Sequence, residues 1–197
     1  MDVSESIYFH HDGFEYNDGS KPPLNFDAQA RISTYENIDR IIYLERDPRD
    51  VICSLYYQVT GRFKDFFKYQ GTISDFLRDP YFGAENLQKF RQMWSEIVSS
   101  REVLKITYED MTASPENVLQ RVVTFYDLSV TKEKISYAAT EASFDNMKSV
   151  EQSNNFKNAW LKPRNGFPKV RAGKVGGYQK ELCKDDIEFI KHVFDLT

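Results

Sequence analysis

The sequence has few cysteines and no long apolar segment, and each absence argues against a class of protein. Only two cysteines, Cys53 and Cys183, occur in 197 residues, and they have neither CxxC nor metal-ligand spacing. This count argues against a disulfide scaffold and predicts a reducing compartment, the cytoplasm. No apolar run approaches the roughly 20 residues that a membrane-spanning helix needs. The first residues, MDVSESIYFHHDG, also lack the basic and apolar regions of a signal peptide.

An excess of one charge is missing as well. The chain has 26 Lys and Arg against 30 Asp and Glu, a net charge of −4. This balance argues against a nucleic-acid or other general polyanion binder, although it leaves room for a local basic patch. The 41% of apolar residues and 15% of aromatic residues suffice for one well-packed domain over residues 1–197, and the length is short for two.

Apolar runs alternate with helical patterns along the chain. Residues 41–44 (IIYL) are typical of a strand buried on both faces of a parallel sheet, and VLKITY over 103–108 predicts a second buried strand. Asp47 as N-cap and Pro48 as first helical residue predict a helix after the first strand. Further helices are predicted over 73–79, 84–99, from Ser114 onward, 131–142, 144–152 and 184–196. The alternation predicts an α/β domain with a mostly parallel sheet flanked by helices, and a ligand site at the carboxyl ends of its strands.

Arg46 and Ser54 form the first candidate binding pair. Arg46 follows the strand where a helix begins, a position that favours anions, and a guanidinium there can hold phosphate through two hydrogen bonds. Ser54, eight residues later, can add a hydroxyl donor. The alternative, of about equal weight from position alone, pairs Arg46 with Asp47 or Asp50 and lets Ser54 bond to its own helix.

The segment 162–180 (KPRNGFPKVRAGKVGGYQK) is the second candidate. It has six Lys or Arg, four of the nine glycines and no acidic residue. Glycine lets a backbone approach a ligand closely and form an anion-binding concavity. A flexible, solvated basic loop is the alternative. The clustering of Gly173, Gly176 and Gly177 beside Arg171 favours phosphate binding.

Two other features have both a structural and a functional interpretation. A short strand is predicted over 7–11 (IYFHH), and His10 and His11 there point to opposite faces, which argues against a shared metal ion. One of the two can act as a general base, or both are ordinary core or surface residues. Nine aromatic residues lie within 56–82; the helical spacing of Phe63, Phe66 and Phe67 favours a core over an acceptor pocket.

Together these blocks resemble the sulfotransferase family, whose members use 3′-phosphoadenosine 5′-phosphosulfate (PAPS). The family's strand–turn–helix is similar to IIYLERDPRDVICSLYYQ, and its two adenine segments are similar to ITYEDM and EASFDNMK. The family's RKGxxGDWKNxF loop is similar to VRAGKVGGYQKEL, and its catalytic strand is similar to IYFHHDG. The resemblance implies a nucleotide-kinase-like, three-layer α/β fold (the P-loop NTPase type) and direct in-line sulfuryl transfer, with PAP (3′-phosphoadenosine 5′-phosphate) as the product and no metal. The site residues it implies are His11 as base and, for the nucleotide, Arg46, Ser54, Tyr108, Phe144, Arg171 and Gly173, with Gly176 also matching the loop.

The departures from the family pattern shape the functional expectation. Ala172, Gly177 and Tyr178 stand where the loop motif has Lys, Asp and Trp, so one cationic contact is missing. No segment resembles the family's TYPKSGTTW phosphosulfate loop, so the chain is expected to be one sulfotransferase-like domain truncated at its N-terminus. The resulting hypothesis is transfer from PAPS to a hydroxylated small molecule, without a membrane or nucleic-acid partner. The alternative hypothesis is a non-catalytic nucleotide-binding or interaction module.

Overall fold

Two parallel strands stand at the centre of the fold. The computed structural model describes residues 26–153 and 162–196. Strand β1 (Ile41–Glu45) pairs with β2 (Val103–Thr107), and the register runs from Ile41↔Val103 to Glu45↔Thr107. Because the strands are parallel, their carboxyl ends, Glu45 and Thr107, meet at one edge of the sheet.

Helices account for most of the remaining described residues. They are α1 (Ala28–Thr34), α2 (Pro48–Tyr57), α3 (Lys64–Phe67), α4 (Ile73–Leu77), α5 (Ala84–Ser100), α6 (Tyr108–Ala113), α7 (Pro115–Phe125), α8 (Lys132–Glu141), α9 (Phe144–Gln152) and α10 (Lys184–Phe194). A π-helical turn (Gln58–Arg62) extends α2, and a 3-10 turn (Gly177–Lys180) precedes α10. Within the two described ranges, no helix is long and apolar enough to cross a membrane.

The predicted start of α2 is confirmed. Pro48 is its first residue, and the carboxylate of Asp47 accepts a hydrogen bond of 2.9 Å from the backbone N–H of Arg49. The predicted end of the second strand is wrong by one residue. Tyr108 begins α6 instead, because the hydroxyl of Thr107 accepts a 3.0 Å hydrogen bond from the backbone N–H of Asp110 and caps a helix there.

The prediction that β1 is buried on both faces is also wrong. Ile41 and Tyr43 lie on the face that packs against α5, where Tyr43 stacks on Trp94 with ring centroids 5.2 Å apart. Leu44 belongs to the opposite face, and 53% of its surface is exposed. The apolar run 41–44 shows a strand, but it does not show whether both faces are covered.

The larger core lies among α2, α4, α5 and α10 and absorbs most of the aromatic residues of 56–82. Phe76 and Phe82 are fully buried and stack with centroids 5.2 Å apart, and Phe67 packs edge-on against Phe82. Phe66, with 42% of its surface exposed, and Tyr57 do not belong to this core. The structure therefore supports the core interpretation of this segment.

Candidate functional site

The turn after β1 and the glycine-rich loop 171–178 meet at the carboxyl end of the sheet. An open cleft of about 500 Å³ lies between them, with Glu45 and Arg46 on one side and Gly176 and Tyr178 on the other. Thr107, the last residue of β2, also lines it. The structure thus places a cleft at the sheet edge where the α/β pattern predicts a ligand.

Arg46 joins three parts of this region. Its Nη2 donates a hydrogen bond of 3.0 Å to the carbonyl oxygen of Lys174, and its guanidinium carbon lies 4.2 Å from the ring centroid of Tyr108. Nη2 also lies 3.4 Å from a carboxylate oxygen of Asp50, so the alternative pairing is present beside the predicted arrangement. The Nε atom of Arg46 is buried and has no hydrogen-bond partner within the described ranges.

Asp50 fixes the loop against α2, a role that the sequence analysis missed. Its side chain is 2% exposed, and its two oxygens accept hydrogen bonds from the backbone N–H groups of Gly176 (2.8 Å) and Tyr178 (3.0 Å). Gly176 has a φ of +72°, a conformation that favours glycine. An acidic residue in the first turn of a helix is ordinary, so nothing local distinguishes Asp50 in the sequence.

Arg171, in the glycine-rich loop, contacts the last residue of α2, Tyr57. Its guanidinium carbon is 4.2 Å from the ring centroid of Tyr57, and its Nη1 donates a 3.1 Å hydrogen bond to Glu181. The hydroxyl of Tyr57 donates a 2.5 Å hydrogen bond to the other oxygen of Glu181. This bond, followed by burial, raises the pKa of Tyr57 to about 12.

Ser54 lies on the same side of α2 as Tyr57. Asp50, Ser54 and Tyr57 are spaced i, i+4 and i+7, which places them on one helical face. Ser54 is exposed, and its hydroxyl has no hydrogen-bond partner in the part of the chain that the structure describes. The predicted alternative, a bond from Ser54 back to its own helix, is therefore wrong.

Gly173 and Phe144 are in direct contact. Gly173 has a φ of +59°, and a Cβ at this position would lie 2.2 Å from Cδ2 of the Phe144 ring. Both the backbone conformation and the contact require glycine. Phe144 itself is half-buried at the start of α9, where the hydroxyl of Ser143 caps the helix.

Two ion pairs account for four of the other charged side chains that line the cleft. Asp47 accepts side-chain hydrogen bonds from Nε of Arg49 (2.9 Å and 3.2 Å) and from its Nη2 (2.5 Å), and these bonds are the main reason that the pKa of Arg49 is raised. Arg91 pairs with Glu45, and burial lowers the pKa of Arg91. Among the cations that line the cleft, Arg46 is thus the one with an unpartnered buried donor among the described residues.

The predicted site residues therefore form two groups. Arg46, which lines the cleft, stacks on Tyr108, whereas Arg171 (with Tyr57) and Gly173 (with Phe144) are not among the residues that line it. The predicted base, His11, and the predicted strand 7–11 lie outside the described residues. Across 26–153 and 162–196, no group of three or more His, Cys, Asp or Glu is arranged to hold a metal ion.

Comparison with known proteins shows one consistent family. The sequence model of the sulfotransferase domain family matches residues 26–196 of this chain. Human sulfotransferase 2B1 is 29% identical over 120 residues, which cover 58% of this chain and 32% of that protein. Rabbit (Oryctolagus cuniculus) amine sulfotransferase is 23% identical over 167 residues, covering 82% of this chain and 55% of that protein. The chain thus spans about a third to a half of the length of these relatives.

Solved structures show the same fold at low identity. Mouse sulfotransferase SULT7A1, complexed with PAP, superposes with a TM-score of 0.64 at 20% identity, over 82% of this chain and 59% of that one. Retinol dehydratase, in complex with androsterone and the inactive cofactor PAP, gives 0.60 at 20% identity, over 79% and 46% of the two chains. The α/β fold implied by the sequence resemblance is confirmed.

Proposed function

The chain belongs to the sulfotransferase domain family, and we propose that it binds PAPS and that the whole protein transfers its sulfuryl group to a small hydroxylated acceptor. The observation that carries this proposal is the meeting of Arg46 with the glycine-rich loop, through the 3.0 Å bond to Lys174. Two segments 128 residues apart, each similar to a nucleotide-binding segment of the family, contact each other at the end of the sheet. Family membership also favours the enzyme over a non-catalytic module.

The residues near Arg46 fit a phosphate group. The buried, unpartnered Nε of Arg46 is a donor that needs an acceptor, and a phosphate oxygen supplies one. Ser54 offers an exposed hydroxyl on the same face of α2 as Asp50, and the side chain of Arg171 is 38% exposed. We assign the 3′-phosphate of the nucleotide to Arg46, Ser54, Arg171 and the backbone around Gly173.

The adenine belongs, in this proposal, near Tyr108 and Phe144. Both rings are half-buried, so part of each is accessible for stacking on a base. The contact of Phe144 with Gly173 places that ring directly beside the loop assigned to the phosphate. One nucleotide would therefore contact both groups of predicted residues.

The bound PAPS would supply the sulfuryl group, leaving PAP after its transfer to the acceptor oxygen. This chain would contribute the nucleotide contacts, and His11 is proposed to take the proton of the acceptor hydroxyl.

Relatives include luciferin sulfotransferase of Photinus pyralis and 3-alpha-hydroxysteroid sulfotransferase of Cavia porcellus. These names support a small-molecule acceptor rather than a membrane or a nucleic acid. The free thiols of Cys53 and Cys183 agree with the proposed cytoplasmic location.

Calorimetry with two nucleotides tests the proposed binding. PAP and AMP share the adenosine and the 5′-phosphate, and they differ in the 3′-phosphate. Because a hydrogen bond to a charged group contributes roughly 1.5–3 kcal/mol, we expect PAP to bind at least about tenfold more tightly than AMP. Equal affinities would contradict the assignment of the 3′-phosphate.

A further inference from the structure

Glu181 contacts two side chains beside the proposed phosphate site. One carboxylate oxygen accepts the 3.1 Å bond from Arg171, and the other accepts the 2.5 Å bond from Tyr57. The guanidinium of Arg171 lies over the Tyr57 ring, so these three side chains form one closed cluster. Glu181 follows the 3-10 turn 177–180 and is therefore fixed to the same loop as Arg171.

The carboxylate of Glu181 and a bound phosphate would compete for the guanidinium of Arg171. A carboxylate and a phosphate are both partners that a guanidinium binds through the same N–H groups. The side chains of Arg171 and Glu181 are 38% and 26% exposed, and a pair this accessible to water is weak enough for an anionic ligand to displace. Tyr57 keeps Glu181 in place beside Arg171, so its negative charge stays near any phosphate that Arg171 binds.

We propose that Glu181 is a specificity-determining residue that competes with the 3′-phosphate of the nucleotide for Arg171. Its carboxylate lowers the affinity for nucleotides that have a 3′-phosphate and leaves the affinity for those without one unchanged. The inference rests on the proposed function, because it takes Arg171 as a ligand of that phosphate.

The test replaces the charge and keeps the shape. Glu181→Gln retains an oxygen that can accept a bond from Arg171, so the guanidinium keeps its position over Tyr57. By calorimetry, this variant should bind PAP about threefold to fivefold more tightly than the unchanged protein, in line with the strength of an exposed ion pair. Its affinity for AMP should stay the same. Glu188→Gln is the matched control, since Glu188 pairs with Lys191 on α10 and the same overall charge is removed.

A second variant separates charge from orientation. Tyr57→Phe keeps the ring under Arg171 and both charges but removes the bond to Glu181, so PAP affinity should change much less than in Glu181→Gln. Weaker or unchanged PAP binding in Glu181→Gln would overturn the inference, as would an equal gain in Glu188→Gln or Tyr57→Phe. If the unchanged protein fails to prefer PAP over AMP, the proposed function itself is wrong.

Discussion

In two parts of the segment 162–178, a buried carboxylate anchors the backbone by accepting two N–H hydrogen bonds. The two parts differ in how far the cations beside the carboxylate are exposed to solvent. In the part 169–170, the buried carboxylate of Glu151 accepts bonds from the backbone N–H groups of Lys169 (2.5 Å) and Val170 (3.1 Å). In the part 176–178, Asp50 accepts two backbone bonds in the same manner. Each carboxylate accepts hydrogen bonds from two backbone N–H groups that are not bonded within a helix or a strand.

The cations beside these two anchors differ. Arg62, near Glu151, is 4% exposed and donates a 3.1 Å bond to the carbonyl of Lys162. Burial, followed by the charge of Arg62, lowers the pKa of Lys169. Near Asp50, the side chain of Arg46 is 23% exposed. We therefore expect the Glu151 anchor to contribute to stability alone, and the Asp50 anchor to contribute both to stability and to the proposed nucleotide binding.

Removing each anchor tests this comparison and should give the largest effect. Asp50→Ala and Glu151→Ala each leave two N–H groups without their acceptor, at a cost of roughly 1–3 kcal/mol each. We expect both variants to lose about 3 kcal/mol of unfolding free energy in urea titrations. In calorimetry, Asp50→Ala should also bind PAP more than tenfold more weakly, whereas Glu151→Ala, while folded, should keep its affinity.

The milder pair Asp50→Asn and Glu151→Gln guards against unfolding of the alanine variants. These substitutions keep the size of the side chain and one acceptor oxygen, so the same contrast should appear on a smaller scale. Equal losses of PAP affinity in the two members of either pair would contradict the comparison.

Arg46→Ala tests the proposed phosphate contact beside the Asp50 anchor. The variant loses the proposed charge-assisted contact to the 3′-phosphate, so PAP should bind at least about tenfold more weakly, with AMP little affected. Arg40→Ala is the control, because Arg40 pairs with Asp127 at the opposite end of β1. The assignment of Arg46 fails if AMP loses as much affinity as PAP, or if Arg40→Ala gives the same result.

Much of this fold follows from local sequence signals. Apolar periodicity and capping residues predict the strand 41–44, the Asp47–Pro48 helix start and the helices from 84 onward other than α6, because these elements depend on neighbouring residues. The bond from Arg46 to the carbonyl of Lys174 brings two of the predicted segments into contact.

The anchors could not be predicted in the same way. Asp50 and Tyr178 are 128 residues apart, and Tyr57 and Glu181 are 124 apart, so their pairing depends on how the helices pack. Each acidic residue has an ordinary position in its own segment, and no local pattern indicates which backbone N–H groups will face it. Leu44 shows the same limit, since a strand's own residues do not reveal what covers its second face.

The smallest expected effect is a pH dependence of stability at Tyr57. The folded-state pKa of Tyr57 is raised from 10.0 to about 12, chiefly by its hydrogen bond to Glu181, so the folded protein retains this proton at pH values where the unfolded chain loses it. The contribution of Tyr57 to stability is therefore fully present below pH 10 and is lost as the pH rises towards about 12.

Urea titrations of the unchanged protein and of Tyr57→Phe should give a constant difference in unfolding free energy below pH 10 and a shrinking one above it. In a Glu181→Gln background the pH-dependent part should be smaller, because an amide holds the hydroxyl proton less strongly than a carboxylate does. A difference that stays flat from pH 9 to 12, or one that is unaltered in the Glu181→Gln background, would show that the bond between Tyr57 and Glu181 does not contribute to the stability of this half of the loop.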